Sequence, residues 1–286
     1  MTPKIQWPLV LFSLLAGAGG CAFAFASAAN ALGEGVGATG VVAAASLALI
    51  AVGGICSVLH LARPQHAFAA VTHLLSFSGI SVELIMLGVT GVLMVAYLAL
   101  CWFGGSEAAR LAVGLAGIVS GLGLAFATGH GYLISSKPAW NTVKLPLAYT
   151  GTALAAGGFL YLVIAALSGE ARELAVISWI TGVCVLASVA TLAVYLAHLG
   201  LAEARRHALT LWGGIVACGM AASVACAAAA AFLDPSSPAF IAAAAAGAAF
   251  TLAGGLSLRV LMWQTGVAFL SFFDDAQARR SAILNC

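Results

Sequence analysis

Residues 79–103, GISVELIMLGVTGVLMVAYLALCWF, hold a single charged side chain, Glu83. A helix rises about 1.5 Å per residue and the hydrocarbon core of a bilayer is about 30 Å thick, so a run of this length and polarity predicts a membrane-spanning helix. Reading outward, seven further apolar runs lie near 7–32, 38–61, 109–133, 145–167, 174–199, 208–232 and 240–263. The expected fold is an all-α integral membrane protein of eight transmembrane helices. Loops between the runs are short, so neighbouring helices should be antiparallel.

Composition supports the same class. Of 286 residues, 63% are hydrophobic and 7% charged, against about 25% charged in an ordinary soluble domain. A net charge of +2, with 11 basic residues scattered along the chain, excludes a nucleic-acid partner. Cys21, Cys56, Cys101, Cys184, Cys218, Cys226 and Cys286 show no close two-residue spacing, and six of them fall in apolar runs. They read as small packing residues, and no metal site is expected.

The chain carries the pattern of an internal repeat, which its abundance of Ala and Gly could also produce by chance. Sliding it by 138 positions places Trp7-Pro8-Leu9 on Leu145-Pro146-Leu147, Ala18-Gly19-Gly20 on Ala156-Gly157-Gly158, and His60-Leu61 on His198-Leu199. This predicts a first four-helix half over 1–135, a second over 136–263 and an extramembrane tail over 264–286, the halves being similarly oriented. Lys4 ahead of the first run, which ends in small residues, resembles a signal peptide; the midchain copy argues for a retained helix. Recurring Ala-Gly patterns such as Gly17-Ala18-Gly19-Gly20 suit close helix packing rather than phosphate binding.

Lys4, Arg63, Lys137, Lys144, Arg205, Arg206, Arg279 and Arg280 fall on one side of such a bundle, and Arg110 and Arg172 on the other. The bias favours both termini in the cytoplasm. Basic loops that dock a partner subunit would give the same imbalance.

Polar residues at membrane depth are where chemistry would sit, because an ionisable group in hydrocarbon is costly unless paired or hydrated. His60 closes the second run and Glu83 lies in the first turns of the third, so both reach one membrane face. An imidazole beside a carboxylate makes a proton-accepting pair, as quinol oxidation requires when two protons leave with two electrons. A histidine that merely caps a helix end, and a carboxylate solvated by headgroups, are the structural alternatives. Arg259, inside the last run, should seek a carboxylate, water or a ligand, with Glu83 as a possible partner, or else snorkel to the surface. His130 and His198, on different helices at one depth, allow either b-type haem ligation or interfacial polar roles.

The stretch Ser57-Val58-Leu59-His60-Leu61-Ala62-Arg63-Pro64-Gln65-His66-Ala67-Phe68, followed by Ser81-Val82-Glu83, resembles the membrane-anchor subunit of dimethyl sulfoxide reductase. Trp7-Pro8-Leu9, Tyr132, Pro138-Ala139-Trp140-Asn141-Thr142 with Pro146 beyond, and Arg259 extend the resemblance over nearly the whole chain. It implies an eight-helix, haem-free anchor in the bacterial plasma (inner) membrane. The anchor would oxidise menaquinol to menaquinone and pass electrons to an iron–sulfur subunit, which feeds a molybdopterin catalytic subunit where the terminal acceptor is reduced. His60 and Glu83 match the quinol-site positions of that family. Arg63, His66, Trp140 and Arg259 are expected to line or cover the pocket. Ala62 replaces a usual Gly, His66 a usual Arg, and Gly255 stands where a Glu often precedes the last-span Arg. A polytopic transporter and a b-type haem quinol dehydrogenase subunit are the rival readings. Polar groups gathered at helix ends disfavour the transporter.

Overall fold

The computed structural model describes residues 4–59, 76, 78–169 and 173–266, the side chains of 201 and 202 excepted. His60, Arg63 and His66 lie outside the described residues, as do 267–286. The helices in chain order are α1 (Trp7–Ala31), α2 (Val36–Leu59), α3 (Gly79–Trp102), α4 (Glu107–His130), α5 (Lys144–Ser168), α6 (Leu174–Leu199), the short α7 (Leu201–Arg205), α8 (Leu209–Phe232) and α9 (Pro238–Thr265). Eight of them are long and apolar enough to cross a bilayer, and no strand occurs among the described residues. The chain is an all-α membrane protein.

Local chemistry sets the helix ends. Ser78, Ser106 and Ser237 each present a hydroxyl oxygen to a backbone N–H of the first turn, at 3.3, 3.2 and 3.2 Å. These caps satisfy donors that have no intrahelical partner. They also start α4 and α9 two residues before the apolar runs begin. At the other ends, Gly33, Gly169 and Gly200 take positive φ angles of 99°, 69° and 79°, a left-handed turn that glycine adopts without a Cβ penalty. α4 stops at His130 rather than near residue 133, and Gly131 begins a turn-rich connection to α5. Gln264 and Thr265, expected in the tail, belong to α9, whose capping Gly266 N–H bonds to the Trp263 carbonyl.

The first part of α8, Leu209–Ala222, is wound as a π-helix before it continues as an α-helix from Ser223. Ser223 Oγ donates to the carbonyl of Cys218, five residues back, at 2.8 Å, in keeping with the wider turn. An apolar run carries no signal for such a change, since both windings present hydrocarbon to lipid.

Packing forms two rings joined along their central helices. In the first, α1 lies against α2 and α4, and α3 closes the circle between α2 and α4; in the second, α5 lies against α6 and α9, and α8 closes it. The rings meet where α5 packs on α1, α2 and α4, and where α9 touches α1. Within their most apolar windows, 83% of α1 and 61% of α5 are buried inside the protein, compared with 22% of α3. Small residues explain the central position: a Cβ on Gly157 of α5 would lie 2.6 Å from the Ala22 backbone nitrogen of α1, and one on Gly20 would lie 3.0 Å from the Gly121 carbonyl oxygen of α4. Such backbone approaches gain dispersion contacts that lipid cannot match.

One membrane face, here face A, carries the start of α1 and the end of α9. Exposed Trp7 and Trp212 stand near it, and exposed Trp102, Phe103, Trp179 and Phe232 near the opposite face B. Amphipathic rings in two belts suit the headgroup levels of a bilayer.

Gly157→Ala is expected to lower the stability of the detergent-solubilised protein by about 1–3 kcal/mol through overpacking, read as a fall in its thermal unfolding midpoint. Gly182→Ala, at a position where a Cβ meets nothing within 4 Å, should leave that midpoint unchanged.

Candidate functional site

The Ser78 cap fixes the start of α3 at face A and so places Glu83 just beyond its first turn. No other carboxylate lies that far inside a described span. The side chain is half-buried, and its Oε2 faces the backbone at the end of α4, where a Cβ on Gly131 would lie 3.4 Å away. Gly79 abuts the same glycine, with its own Cβ position 3.0 Å from Gly131 Cα. A larger residue at either place would push α3 and α4 apart and fill the space the carboxylate faces.

Tyr132, next in the chain after Gly131, opens a box of aromatic rings. Its ring centroid lies 5.6 Å from Trp140, 6.1 Å from Tyr149 and 6.2 Å from Trp263, and the two tryptophans are 5.0 Å apart at 75°. Edge-to-face pairs of this kind suit the ring quadrupoles. Trp140 Nε1 donates to the Met262 carbonyl at 2.7 Å, which clamps the 131–143 connection onto α9. Tyr195 reinforces the clamp from α6, its hydroxyl donating to the Ala139 carbonyl at 3.2 Å. Lys137 Nζ sits 3.5 Å from the Trp140 ring centroid and 5.6 Å from that of Trp263. Partial burial over these rings pulls the Lys137 ammonium below the usual lysine pKa.

Arg259 lies deeper and is 1% exposed. Its Nε donates to Ser13 Oγ at 2.9 Å, Nη2 to the Ser13 carbonyl at 3.0 Å and Nη1 to the Gly255 carbonyl at 2.8 Å, while the guanidinium carbon stands 4.1 Å from the Tyr149 centroid. The suggested Arg259–Glu83 ion pair is therefore absent among the described residues: oxygens of α1 and α9 take the guanidinium. Carbonyls in a dry interior are strong acceptors for a cation, so no carboxylate is needed at that point.

Of the residues proposed from sequence, the structure puts Glu83 at the edge of the aromatic box, Trp140 in its wall and Arg259 behind Tyr149. His60, Arg63 and His66 fall outside the described residues. His130 stacks on Phe126 at 6.2 Å, with its Nδ1 buried and without a partner among the described residues. His198 is exposed, its Nε2 3.5 Å from the Pro138 carbonyl. It borders a cavity of about 230 Å³ lined by Pro138, Ala139, Leu199, Glu203 and Thr265. Tyr149, Trp263 and Lys137 had no assigned role from sequence. Aromatic residues at span ends are ordinary interfacial features, so nothing in the sequence distinguishes these.

Fold and site together define a multi-pass membrane protein with an acid, a buried guanidinium and a cluster of packed aromatic rings at one face. A family model described as DMSO reductase anchor subunit (DmsC) matches residues 1–206. The chain belongs to the DMSO reductase anchor subunit family. No curated protein matches the chain in a sequence comparison. The matched residues include Glu83, Tyr132, Trp140 and Tyr149, whereas Arg259 and Trp263 lie beyond them. An anchor subunit works with catalytic and electron-transfer partner subunits.

Arg259→Lys keeps the charge but loses the planar fork. It should cost about 2–4 kcal/mol of stability, because up to two buried carbonyl acceptors lose a charge-assisted hydrogen bond. Thermal unfolding of the solubilised protein measures this; a midpoint equal to that of the parent would contradict the assigned bonding.

Proposed function

We propose that this anchor oxidises menaquinol at face A, in the bacterial plasma membrane, and delivers the electrons to an iron–sulfur partner subunit that serves a molybdopterin reductase. The observation that carries the reading is Glu83: a lone carboxylate inside an apolar span, facing a glycine gap beside a box of aromatic rings. A carboxylate in hydrocarbon is expensive, and such residues mark proton or ligand sites by default.

The residues fit a hydroquinone. Its flat apolar ring matches walls made of Tyr132, Trp140 and Trp263, and its long apolar tail suits a site opening near lipid. Its hydroxyls need an acceptor, which the Glu83 carboxylate supplies. Bound quinol brings the two-electron chemistry; the chain's own residues bind and orient the ring, limit water and accept protons. By resemblance, His60 is the second proton acceptor, and Arg63 and His66 complete the pocket wall with Trp140. Arg259, held 4.1 Å from Tyr149, fixes one wall from behind and keeps a positive field near the acid. A site at the end of the helices lies next to whatever docks on face A, so electrons would cross a short gap to a partner's cluster.

Glu83→Gln preserves size and removes the proton acceptor. In the assembled complex it should reduce oxidation of a menaquinol analogue by at least about a hundredfold, the usual lower range for loss of a general base. Subunit assembly and the rate with an artificial electron donor to the catalytic subunit should stay normal. Turnover at the parent rate with menaquinol would refute the assignment.

A further inference from the structure

The two tryptophans of the aromatic box differ in one respect. Trp140 gives its indole N–H to the Met262 carbonyl. Trp263 is 6% exposed, yet its Nε1 has no acceptor among the described residues. A buried N–H without an acceptor is costly and rare in a native protein. Tyr132 and Trp140 pack edge to face with Trp263, at 6.2 and 5.0 Å between ring centroids, and the Lys137 ammonium stands 5.6 Å from its centroid; none of these contacts gives the indole N–H an oxygen acceptor. Indole nitrogen donates only, so among the described residues this N–H is free to serve an acceptor oxygen on a bound flat molecule.

We infer that Trp263 is the hydrogen-bond donor to a ring oxygen of the bound quinone. The inference rests on the quinol reading above and adds a residue to which neither the family match nor the resemblance assigns a role. Its consequence is selectivity between redox states. In the reduced ring both oxygens are hydroxyls, whose protons go to acceptors such as Glu83. Oxidation breaks two O–H bonds and sends two electrons to an iron–sulfur centre of the partner subunit. One proton goes to the Glu83 carboxylate and the other to a second acceptor or to water at face A, leaving two carbonyl oxygens. A fixed N–H is a better partner for a carbonyl oxygen than for a hydroxyl oxygen, so Trp263 strengthens its hold as the reaction proceeds. Donors already in place when charge moves off the protons favour product formation without reorganising.

The test uses the assembled complex and two probes, 2-methyl-1,4-naphthoquinone and 2-methylnaphthalene, which share a ring system but not the carbonyls. Trp263→Phe keeps an aromatic ring and removes the N–H. Its affinity for the naphthoquinone should fall about tenfold to a hundredfold, the range for a buried hydrogen bond of this type, while its affinity for methylnaphthalene stays the same. Infrared spectra of carbonyl-labelled naphthoquinone on the parent complex, which need no variant, should show one carbonyl band lowered by hydrogen bonding. Equal loss for both probes, or no loss for either, overturns the donor role, as does the lack of a lowered band in the parent. If Glu83→Gln abolishes quinol oxidation in that case, the quinol reading survives and only Trp263 is removed from it. A parent complex that neither binds the naphthoquinone nor oxidises the quinol overturns both.

Discussion

Hydrocarbon offers no hydrogen-bonding partner, so every polar group that the helices carry below the headgroups has to find one inside the protein. Most do so locally. Ser178, Thr152 and Thr251 turn their hydroxyls back onto carbonyls of the preceding turn, at 2.7, 3.1 and 2.8 Å. Arg259 cannot, because a guanidinium has five donors and one turn of helix has too few free acceptors. It therefore reaches across to Ser13, 246 positions away, and ties the last helix to the first. The same constraint makes any buried group without a partner informative, since folding would otherwise have removed it.

Small residues determine which helices take the centre. Lipid tails are as apolar as leucine, so hydrophobicity alone gives no reason for one helix to leave lipid and enter the bundle. What differs between α1 and α3 is how closely a neighbouring backbone approaches. Gly17, Gly19 and Gly20 let α5, α2 and α4 approach α1, whereas Cβ positions on Gly88 and Gly91 of α3 meet nothing within 4 Å. The central helices then bring Ser13 and Tyr149 together at the joint of the two rings, where Arg259 binds.

Apolar runs made the spans legible because length and the scarcity of charge carry that signal by themselves. The ends were less so: starts two residues earlier for α4 and α9 follow from the Ser106 and Ser237 caps, which are short-range bonds that an apolar count ignores. The π winding in α8 left no trace in the hydropathy at all. In the site, Glu83 stood out as an acid within a span. The partners of Arg259 did not, since they depend on which distant backbone comes within 3 Å. Trp263 looked like any interfacial tryptophan, and only the structure shows that its N–H meets no acceptor among the described residues.

Two acids show why one end of the protein suits chemistry. Glu34, at face B, is 4% exposed and its Oε1 accepts from the backbone N–H of Glu173. It joins the α1–α2 turn to the start of α6, so its charge serves the fold. Glu83 has no hydrogen-bond donor among the described residues and faces the space that Gly131 leaves open. The second ring has no counterpart: α8 carries Gly213 at its fifth position, where α3 carries Glu83. That ring instead supplies Tyr149, Arg259 and Trp263 from α5 and α9. The first ring provides the acid and Tyr132, and the second provides the supporting cation and the spare donor. The candidate site therefore depends on the packing of the two rings against each other, and substitutions at that seam should disturb it even where they touch none of its residues.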